Sequence, residues 1–187
     1  MDDESLWRAY AWPERCLRAN FVMTVDGHVQ GSDGLSGTLS DPEDRRIFHM
    51  QRAGCDAVLV GAGTVRAENY GPIEVKPEWA GYRGDRPAPQ LIIVSSSGNV
   101  PHIDGSLVVD GSDLAGLRQR FPRILCEGGP HLFAALLEQH LVDQLALTVA
   151  GEIGGTGELV PGNGTSEAAP LHVHAQGGSL FTLWDLT

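Results

Sequence analysis

The sequence predicts a three-layer α/β/α fold with a mostly parallel central sheet and an antiparallel hairpin at the C-terminal end. Short apolar segments typical of buried strands alternate with amphipathic segments typical of helices, which is the pattern of a parallel sheet covered on both faces. Two of the apolar segments run into closely spaced glycines and then a helix start. Near the end of the chain, two segments of strand composition flank Gly177-Gly178, as in a hairpin.

Length and composition indicate the number of domains and exclude some classes of ligand. The chain has 187 residues, 42% of them hydrophobic, which suits a single domain. We expect residues 1–16 to be a loosely packed lead-in and residues 17–187 to form that domain. The formal net charge of −11 argues against a general binder of nucleic acid or of anionic membranes. The start of the chain resembles no secretory signal and no apolar run could span a bilayer, so we expect a cytoplasmic protein.

The elements follow from apolar runs and their boundary residues. Strands are predicted for the following ranges: 17–25, the first part of 56–68, 90–97, 106–111, 123–129, 143–150, 171–176 and 179–184. Helices are predicted for the second part of 56–68, for 113–121, for 131–140, and for a segment that starts at Ser40-Asp41-Pro42-Glu43 and ends at Gly54. Residues 28–40 and 69–89 are rich in glycine or proline and are predicted to be loops.

Two junctions share one physical form, a buried strand followed by two close glycines and a helix start. The first contains Gly61, Gly63 and Thr64, and the second contains the segment 127–130, Glu-Gly-Gly-Pro. Glycine lets a phosphate approach the backbone, and the end of a parallel strand is where ligands bind in such sheets. Each junction alone is also consistent with a simple tight turn, but two in one small domain favour a dinucleotide site. The Rossmann fingerprint fails, because position 66 is arginine.

Asp26 and Glu127 each follow a predicted strand, so both carboxylates are expected at the sheet edge that carries the glycine junctions. Partial burial beside a cofactor would raise the pKa of such a carboxyl and suit it to proton donation. The alternative is a turn-forming aspartate and a helix-capping glutamate. Ser40, Asp41 and Asp44 are interpreted as helix-start residues. Arg52 is consistent either with a contact to a substrate phosphate or with an exposed cation at a helix end.

No metal site is predicted. The three cysteines are widely spaced, no CxxC pair is present, and the histidines have no metal-ligand spacing. We expect each cysteine to be a small buried apolar side chain.

Three segments together identify a family resemblance: NFVMTVDGHV, then LSDPEDRRIFHMQRAGCDAVLVGAGTVRAEN, then ILCEGGPHLFAALLEQHLVDQLALTVAGEIGG. In this order and spacing they are similar to the pyrimidine reductase domain of riboflavin biosynthesis (RibD C-terminal-like), which has the dihydrofolate reductase-like fold. The resemblance covers about residues 18–155. It implies an NADPH-dependent reduction of a ribosylamino-pyrimidine 5′-phosphate to its ribitylamino form, and a homodimer.

The resemblance also implies roles for individual residues. Asp26 and Glu127 match the family's catalytic acids, and Ser36 and Arg52 match its contacts to the substrate phosphate. Cofactor contacts are implied for a larger set: Thr64, Glu68, Ser96, Gly128, Gly129, Pro130, His131 and Leu132. The form of the first junction, described above, adds Gly61 and Gly63 to the predicted cofactor site. Two alternatives stay open, a dihydrofolate or pterin reductase of the same fold and a catalytically idle nucleotide-binding module.

Overall fold

The computed structural model describes residues 1–160 and 167–187. The strands in these ranges are β1 (Cys16–Met23), β2 (His28–Gln30), β3 (Ala57–Gly61), β4 (Gln90–Val94), β5 (Leu107–Val109), β6 (Arg123–Cys126), β7 (Gln144–Val149), β8 (Thr156–Leu159), β9 (Ala169–Gln176) and β10 (Ser179–Asp185). The helices are α1 (Asp3–Ala9), α2 (Pro42–Gly54), α3 (Ala62–Ala67), α4 (Pro77–Arg83), α5 (Leu114–Arg120) and α6 (Pro130–Glu138).

One eight-stranded sheet organises the molecule, in the order β5-β4-β3-β6-β1-β7-β10-β9. The six strands from β5 to β7 are mutually parallel, and β10 joins β7 antiparallel and pairs antiparallel with β9. The predicted fold class, with its C-terminal hairpin, is confirmed. Because β1, β3, β4 and β6 are parallel neighbours, their carboxyl ends lie at one edge of the sheet.

Apolar side chains cover both faces of this sheet. On one face, Leu17, Leu59 and Ile124 pack with side chains of α5 and α6, among them Phe133. On the other face, residues of α1, α2 and α4 pack against β7 and β10. This arrangement of helices on both faces is the expected three-layer architecture.

Helix α2 begins as its sequence predicts. The Asp41 carboxylate accepts a hydrogen bond from the Asp44 backbone N–H at 2.8 Å, and Pro42 occupies the first turn. The helix ends at Gly54, where a Cβ atom would lie 2.3 Å from Trp12 Nε1. The glycine is therefore needed for a close approach between the helix end and the N-terminal segment.

The lead-in packs more tightly than expected. Residues 3–9 form α1, in which Leu6 is fully buried, and Tyr10 is 3% exposed. The fully buried Arg18 of β1 donates hydrogen bonds to the carbonyl oxygens of Tyr10 and Ala11 at 3.0 and 3.1 Å. These contacts hold the segment to the sheet, so the expectation of loose packing is wrong.

Both predicted loops contain regular structure. In 69–89, α4 buries Trp79 completely, and Arg83 donates to the carbonyl oxygens of Ala53 and Cys55. In 28–40, β2 pairs antiparallel with β8, a strand that was not predicted. The glycine, proline and charged residues of these segments are typical of loops. The helix and strand that form there are stabilised by residues distant in sequence, so local composition did not indicate them.

The cysteines match their interpretation as apolar side chains. Cys16, Cys55 and Cys126 are buried, free thiols. Burial raises the pKa of each thiol to about 12, so none is a thiolate at neutral pH. No helix in the described parts of the chain has the length and apolar character needed to cross a membrane.

Candidate active site

The carboxyl ends of the parallel strands open onto a cleft of about 1320 Å³. Almost every predicted site residue lines it: Ser36, Arg52, Gly61, Gly63, Thr64, Glu68, Ser96, Glu127, Gly128, Gly129, Pro130, His131 and Leu132. Asp26 is the exception. The structure therefore brings together, from separate strands and helices, residues that are as far apart in sequence as Ser36 and Leu132.

The two glycine junctions lie against each other, because they end the neighbouring strands β3 and β6. The Gly61 N–H donates a hydrogen bond to the Gly128 carbonyl at 2.8 Å. A Cβ atom on Gly129 would lie 2.7 Å from Thr64 Oγ1, and Gly128 has a φ of +93°. Around Gly63 there is open space within 4 Å. The result is a cradle walled by backbone, in which a bulky anionic group could approach the main chain.

Glu127 lies at the centre of a buried polar cluster. Its oxygens accept hydrogen bonds from Arg52 Nε and Nη2 at 2.7 and 2.6 Å, and from the Tyr70 hydroxyl at 2.7 Å. The side chains of Glu127 and Arg52 are 2% and 15% exposed, so the pair is largely withdrawn from water. Burial alone would lower the pKa of Arg52, but the charge and hydrogen bonds of Glu127 outweigh it and raise that pKa. The reading of Arg52 as an exposed helix-end cation is therefore wrong.

Asp26 lies outside the cleft wall and is exposed to solvent. Its side chain is 39% exposed, and its carboxylate oxygens accept from the Gly154 N–H, each at 3.2 Å. Hydrogen bonds from the Thr24 side chain and the Gly154 backbone lower the pKa of Asp26. The expectation that partial burial raises this pKa is thus wrong, because the carboxylate is solvated and accepts hydrogen bonds in its charged form.

Ser36 and Glu68, one predicted to contact substrate and the other cofactor, contact each other. Glu68 Oε1 accepts from the Ser36 hydroxyl at 2.8 Å and from the Ser36 N–H at 3.2 Å. This contact joins the segment before α2 to the end of α3. Both donors of Ser36 converge on one oxygen, an arrangement that also suits an oxygen of a phosphate.

Comparison with known proteins decides the family. The sequence profile of the RibD C-terminal domain family matches residues 15–179. The chain belongs to this family.

Individual relatives agree with this assignment. The 2,5-diamino-6-ribosylamino-4(3H)-pyrimidinone 5′-phosphate reductase of Methanothermobacter thermautotrophicus is 30% identical, with the match covering 80% of this chain and 85% of that protein. A reductase of the same name from Saccharomyces cerevisiae is 24% identical, with 82% and 77% covered. Among solved structures, a pyrimidine reductase-like protein of Corynebacterium diphtheriae aligns with a TM-score of 0.80 at 20% identity, covering 98% of each chain. That likeness shows the fold.

This RibD C-terminal domain has cleft residues that the sequence interpretation did not find, among them Asp44 and Phe48 of α2. They precede Arg52 by eight and four positions and so share one helix face with it, and all three line the cleft. Asp44 is indeed a helix-start residue, but it is only 6% exposed, and its Oδ2 accepts from the Ser40 hydroxyl at 2.5 Å. The four-residue spacing from Arg52 was the available signal. For Tyr70, which lies in a predicted loop, the sequence gives none.

The burial of the Asp44 carboxyl can be tested by measuring how the stability of the protein depends on pH. Burial raises the pKa of Asp44, which means that the folded protein favours the protonated form. As pH rises through the pKa of the folded state, ionisation in the buried site destabilises the native protein. We expect Asp44→Asn, which does not titrate, to increase the free energy of unfolding relative to wild type more at pH 7 than at pH 4. Denaturant unfolding at a series of pH values measures this difference.

Asp26→Asn is the matched control for this experiment, since the pKa of Asp26 is shifted in the opposite direction. The ionised Asp26 carboxylate stabilises the folded wild-type protein at neutral pH, and this stabilisation is lost as the pH falls through the lowered pKa. The relative stability of Asp26→Asn should therefore improve towards acid pH. Parallel curves for the two variants would contradict the assignment of Asp44 to a desolvated site.

Proposed function

We propose that this protein is an NADPH-dependent reductase that converts 2,5-diamino-6-ribosylamino-4(3H)-pyrimidinone 5′-phosphate to its ribitylamino form in riboflavin biosynthesis. One observation carries the proposal. In a member of the RibD C-terminal domain family, the backbone cradle at the glycine junctions and the Arg52–Glu127 pair line one cleft. The names of the curated relatives supply the substrate and reaction.

The cradle fits a dinucleotide cofactor. A side chain on Gly129 would meet Thr64, and Gly63 borders open space, so the wall is backbone where a pyrophosphate would have to approach it closely. In the proposal, the backbone of residues 61–64 and 128–132 holds the pyrophosphate, with Glu68 contacting the rest of the cofactor. Ser96 contacts the 2′-phosphate, which is why we propose NADPH as the cofactor. The nicotinamide would supply a hydride to C1′ of the ribosylamino group, and the proton that completes the reduction would come from water in the cleft.

The substrate phosphate is assigned to Ser36 and Arg52. Each donates a hydrogen bond to a carboxylate in this structure, Ser36 to Glu68 and Arg52 to Glu127. Phosphate oxygens make the same charge-assisted hydrogen bonds. Arginine in particular suits a phosphate, because its planar fork can donate along more than one edge.

The two proposed acids have different roles in this scheme. Glu127 accepts hydrogen bonds on both oxygens, so we propose that it acts as the anion that orients Arg52 and not as a proton donor. Asp26 is proposed to act through the turn between β1 and β2, because its carboxylate connects that turn to Gly154. Val29 and Gln30, which follow the turn, line the cleft.

A second candidate, reduction of a pterin, is compatible with one feature of the cleft. The buried Asp44 carboxyl and the Phe48 ring lie on one face of α2 and line the cleft. A carboxyl beside an aromatic ring suits the amino edge and the face of a flat heterocycle. Pterins and the aminopyrimidine of the first candidate share that chemistry, so the assay must separate them.

The assay follows NADPH absorbance with the pyrimidine phosphate, with dihydrofolate and with neither. Oxidation with the pyrimidine phosphate alone supports the proposed function, and oxidation with dihydrofolate alone supports the pterin alternative. Tight NADPH binding without turnover of any substrate would indicate an idle nucleotide-binding module. NADH in place of NADPH tests the choice of cofactor.

We also propose a homodimer formed through the C-terminal hairpin. Leu171, Val173 and Leu180 lie on one face of β9 and β10 and are 50%, 52% and 40% exposed. Exposed apolar patches of this kind typically mark an interface.

Val173→Asp is expected to convert the dimer to a monomer, since it places a charge in the buried interface. Size-exclusion chromatography with light scattering measures the mass. Val108→Asp is the control, because Val108 is 43% exposed on β5, at the other end of the sheet. A wild-type protein that is monomeric at the same concentration would contradict the proposal.

A further inference from the structure

We propose that Tyr70 is a positioning residue: its hydroxyl fixes the Glu127 carboxylate, which holds the Arg52 guanidinium in the orientation that receives the substrate phosphate. The inference rests on the proposed function only in naming the substrate. The contacts among Tyr70, Glu127 and Arg52 on which it is based do not depend on which reaction the protein catalyses.

Three separate elements meet in this cluster. Arg52 projects from the last turn of α2, Glu127 follows β6, and Tyr70 follows α3. The Tyr70 hydroxyl donates to Glu127 Oε2, the same oxygen that accepts from Arg52 Nη2. Tyr70 is thus the only neutral donor that Glu127 has among the side chains of the described ranges.

Ring contacts restrict the guanidinium further. Arg52 Cζ lies 4.3 Å from the centroid of the Phe48 ring and 5.7 Å from the centroid of the Tyr70 ring. Its Nε and Nη2 groups donate to Glu127, whereas Nη1 donates to no protein acceptor in residues 1–160 and 167–187. The cluster therefore fixes the cation on one side and leaves one edge of donors for a ligand in the cleft.

The Tyr70 hydroxyl is suited to this role because it keeps its proton. Burial and the neighbouring charge of Glu127 raise the pKa of Tyr70 well above its ordinary value. At neutral pH the group is a donor, and a carboxylate that receives a third hydrogen bond is less free to rotate about its side-chain torsions. Without that hydrogen bond, the Glu127–Arg52 pair can turn as a unit and the free Arg52 edge loses its fixed direction.

A purely structural role for Tyr70 predicts a different outcome. The ring packs against the apolar cluster that contains Val65 and Ile73. Tyr70→Phe keeps this packing and removes only the hydroxyl, so a structural role would leave catalysis and ligand affinity unchanged.

The test is steady-state kinetics of Tyr70→Phe with NADPH and the pyrimidine phosphate. We expect KM for the pyrimidine phosphate to rise about tenfold, as for loss of a hydrogen bond to a charged group, with little change in kcat. The dissociation constant for NADPH should be unchanged. Tyr82→Phe is the matched control, because Tyr82 contacts Trp7 and Trp79 and does not line the cleft.

A double-mutant cycle distinguishes action through Arg52 from an independent contribution. In an Arg52→Lys background, Tyr70→Phe should have no further effect on KM, because lysine lacks the planar fork that Tyr70 helps to orient. If the two effects on KM multiply instead, the proposal is overturned.

Calorimetry with ribose 5-phosphate and with ribose separates this inference from the proposed function. We expect Tyr70→Phe to weaken ribose 5-phosphate binding about tenfold and to leave any ribose binding unchanged. Binding by the wild type without turnover of the pyrimidine phosphate would refute the proposed function and leave the role of Tyr70 intact. Absence of ribose 5-phosphate binding by the wild type, or equal affinity in Tyr70→Phe, would overturn the inference.

Discussion

Glu127→Gln is expected to lower the free energy of unfolding by about 3 kcal/mol, as when one partner of a buried ion pair is removed. Arg52 is only 15% exposed, so the substitution leaves a buried cation without its counter-ion. The kcat/KM for the pyrimidine phosphate should fall about 100-fold, since a guanidinium that is no longer held in place binds and orients the substrate poorly. Denaturant unfolding measures the first effect and the NADPH assay measures the second.

Two further variants test whether the losses of stability and of activity both come from the Arg52–Glu127 ion pair. Asp56→Asn also breaks ion pairs, in this case partly buried ones, with Arg123 at 2.9 Å and Arg86 at 3.2 Å, but Asp56 does not line the cleft. It should lower stability and leave turnover unchanged. Combining Glu127→Gln with Arg52→Met removes the unpaired charge, so stability should recover while activity stays low. Wild-type stability together with wild-type turnover in Glu127→Gln would contradict this account of the cluster.

The sequence predicted those parts of the site that depend on local structure. Two close glycines between an apolar run and a helix start indicate a tight turn from a strand into a helix, so both junctions could be located before their contact was known. Their meeting at Gly61 and Gly128 required one additional fact, that β3 and β6 are parallel neighbours. The alternation of strands and helices made a parallel sheet predictable but left the order of its strands undetermined.

The polar contacts in the cleft were not predictable in the same way. Arg52 and Glu127 are 75 positions apart in the chain, and nothing local in either segment indicates an ion pair. Helix α4 was missed for a related reason, because its stability comes from burying Trp79 against α1 and α2 and not from its own composition. The short β2 strand likewise depends on β8, more than 120 residues later. Such elements are set by tertiary partners, which a pattern within one segment does not reveal.

Gly63→Ala is expected to have opposite effects on stability and on cofactor affinity. Gly63 lies inside α3, and a Cβ atom there would meet nothing within 4 Å. Alanine in a helix is favoured over glycine by about 1 kcal/mol, so the free energy of unfolding should increase by up to that amount. The same methyl group would fill space that the proposed pyrophosphate needs beside the backbone. We expect the dissociation constant for NADPH to rise about tenfold, which corresponds to about 1.4 kcal/mol.

Gly81→Ala provides the matched comparison, because Gly81 is also inside a helix, α4, and its Cβ position is also open, but it does not line the cleft. The two variants should gain similar stability, and only Gly63→Ala should bind NADPH more weakly by calorimetry. A larger side chain, in Gly63→Leu, should increase the loss of affinity, since its volume extends further into the cleft. Unchanged NADPH affinity in both Gly63 variants would mean that the cofactor does not pass over this backbone, because no rearrangement of a glycine wall could accommodate leucine and pyrophosphate at one position.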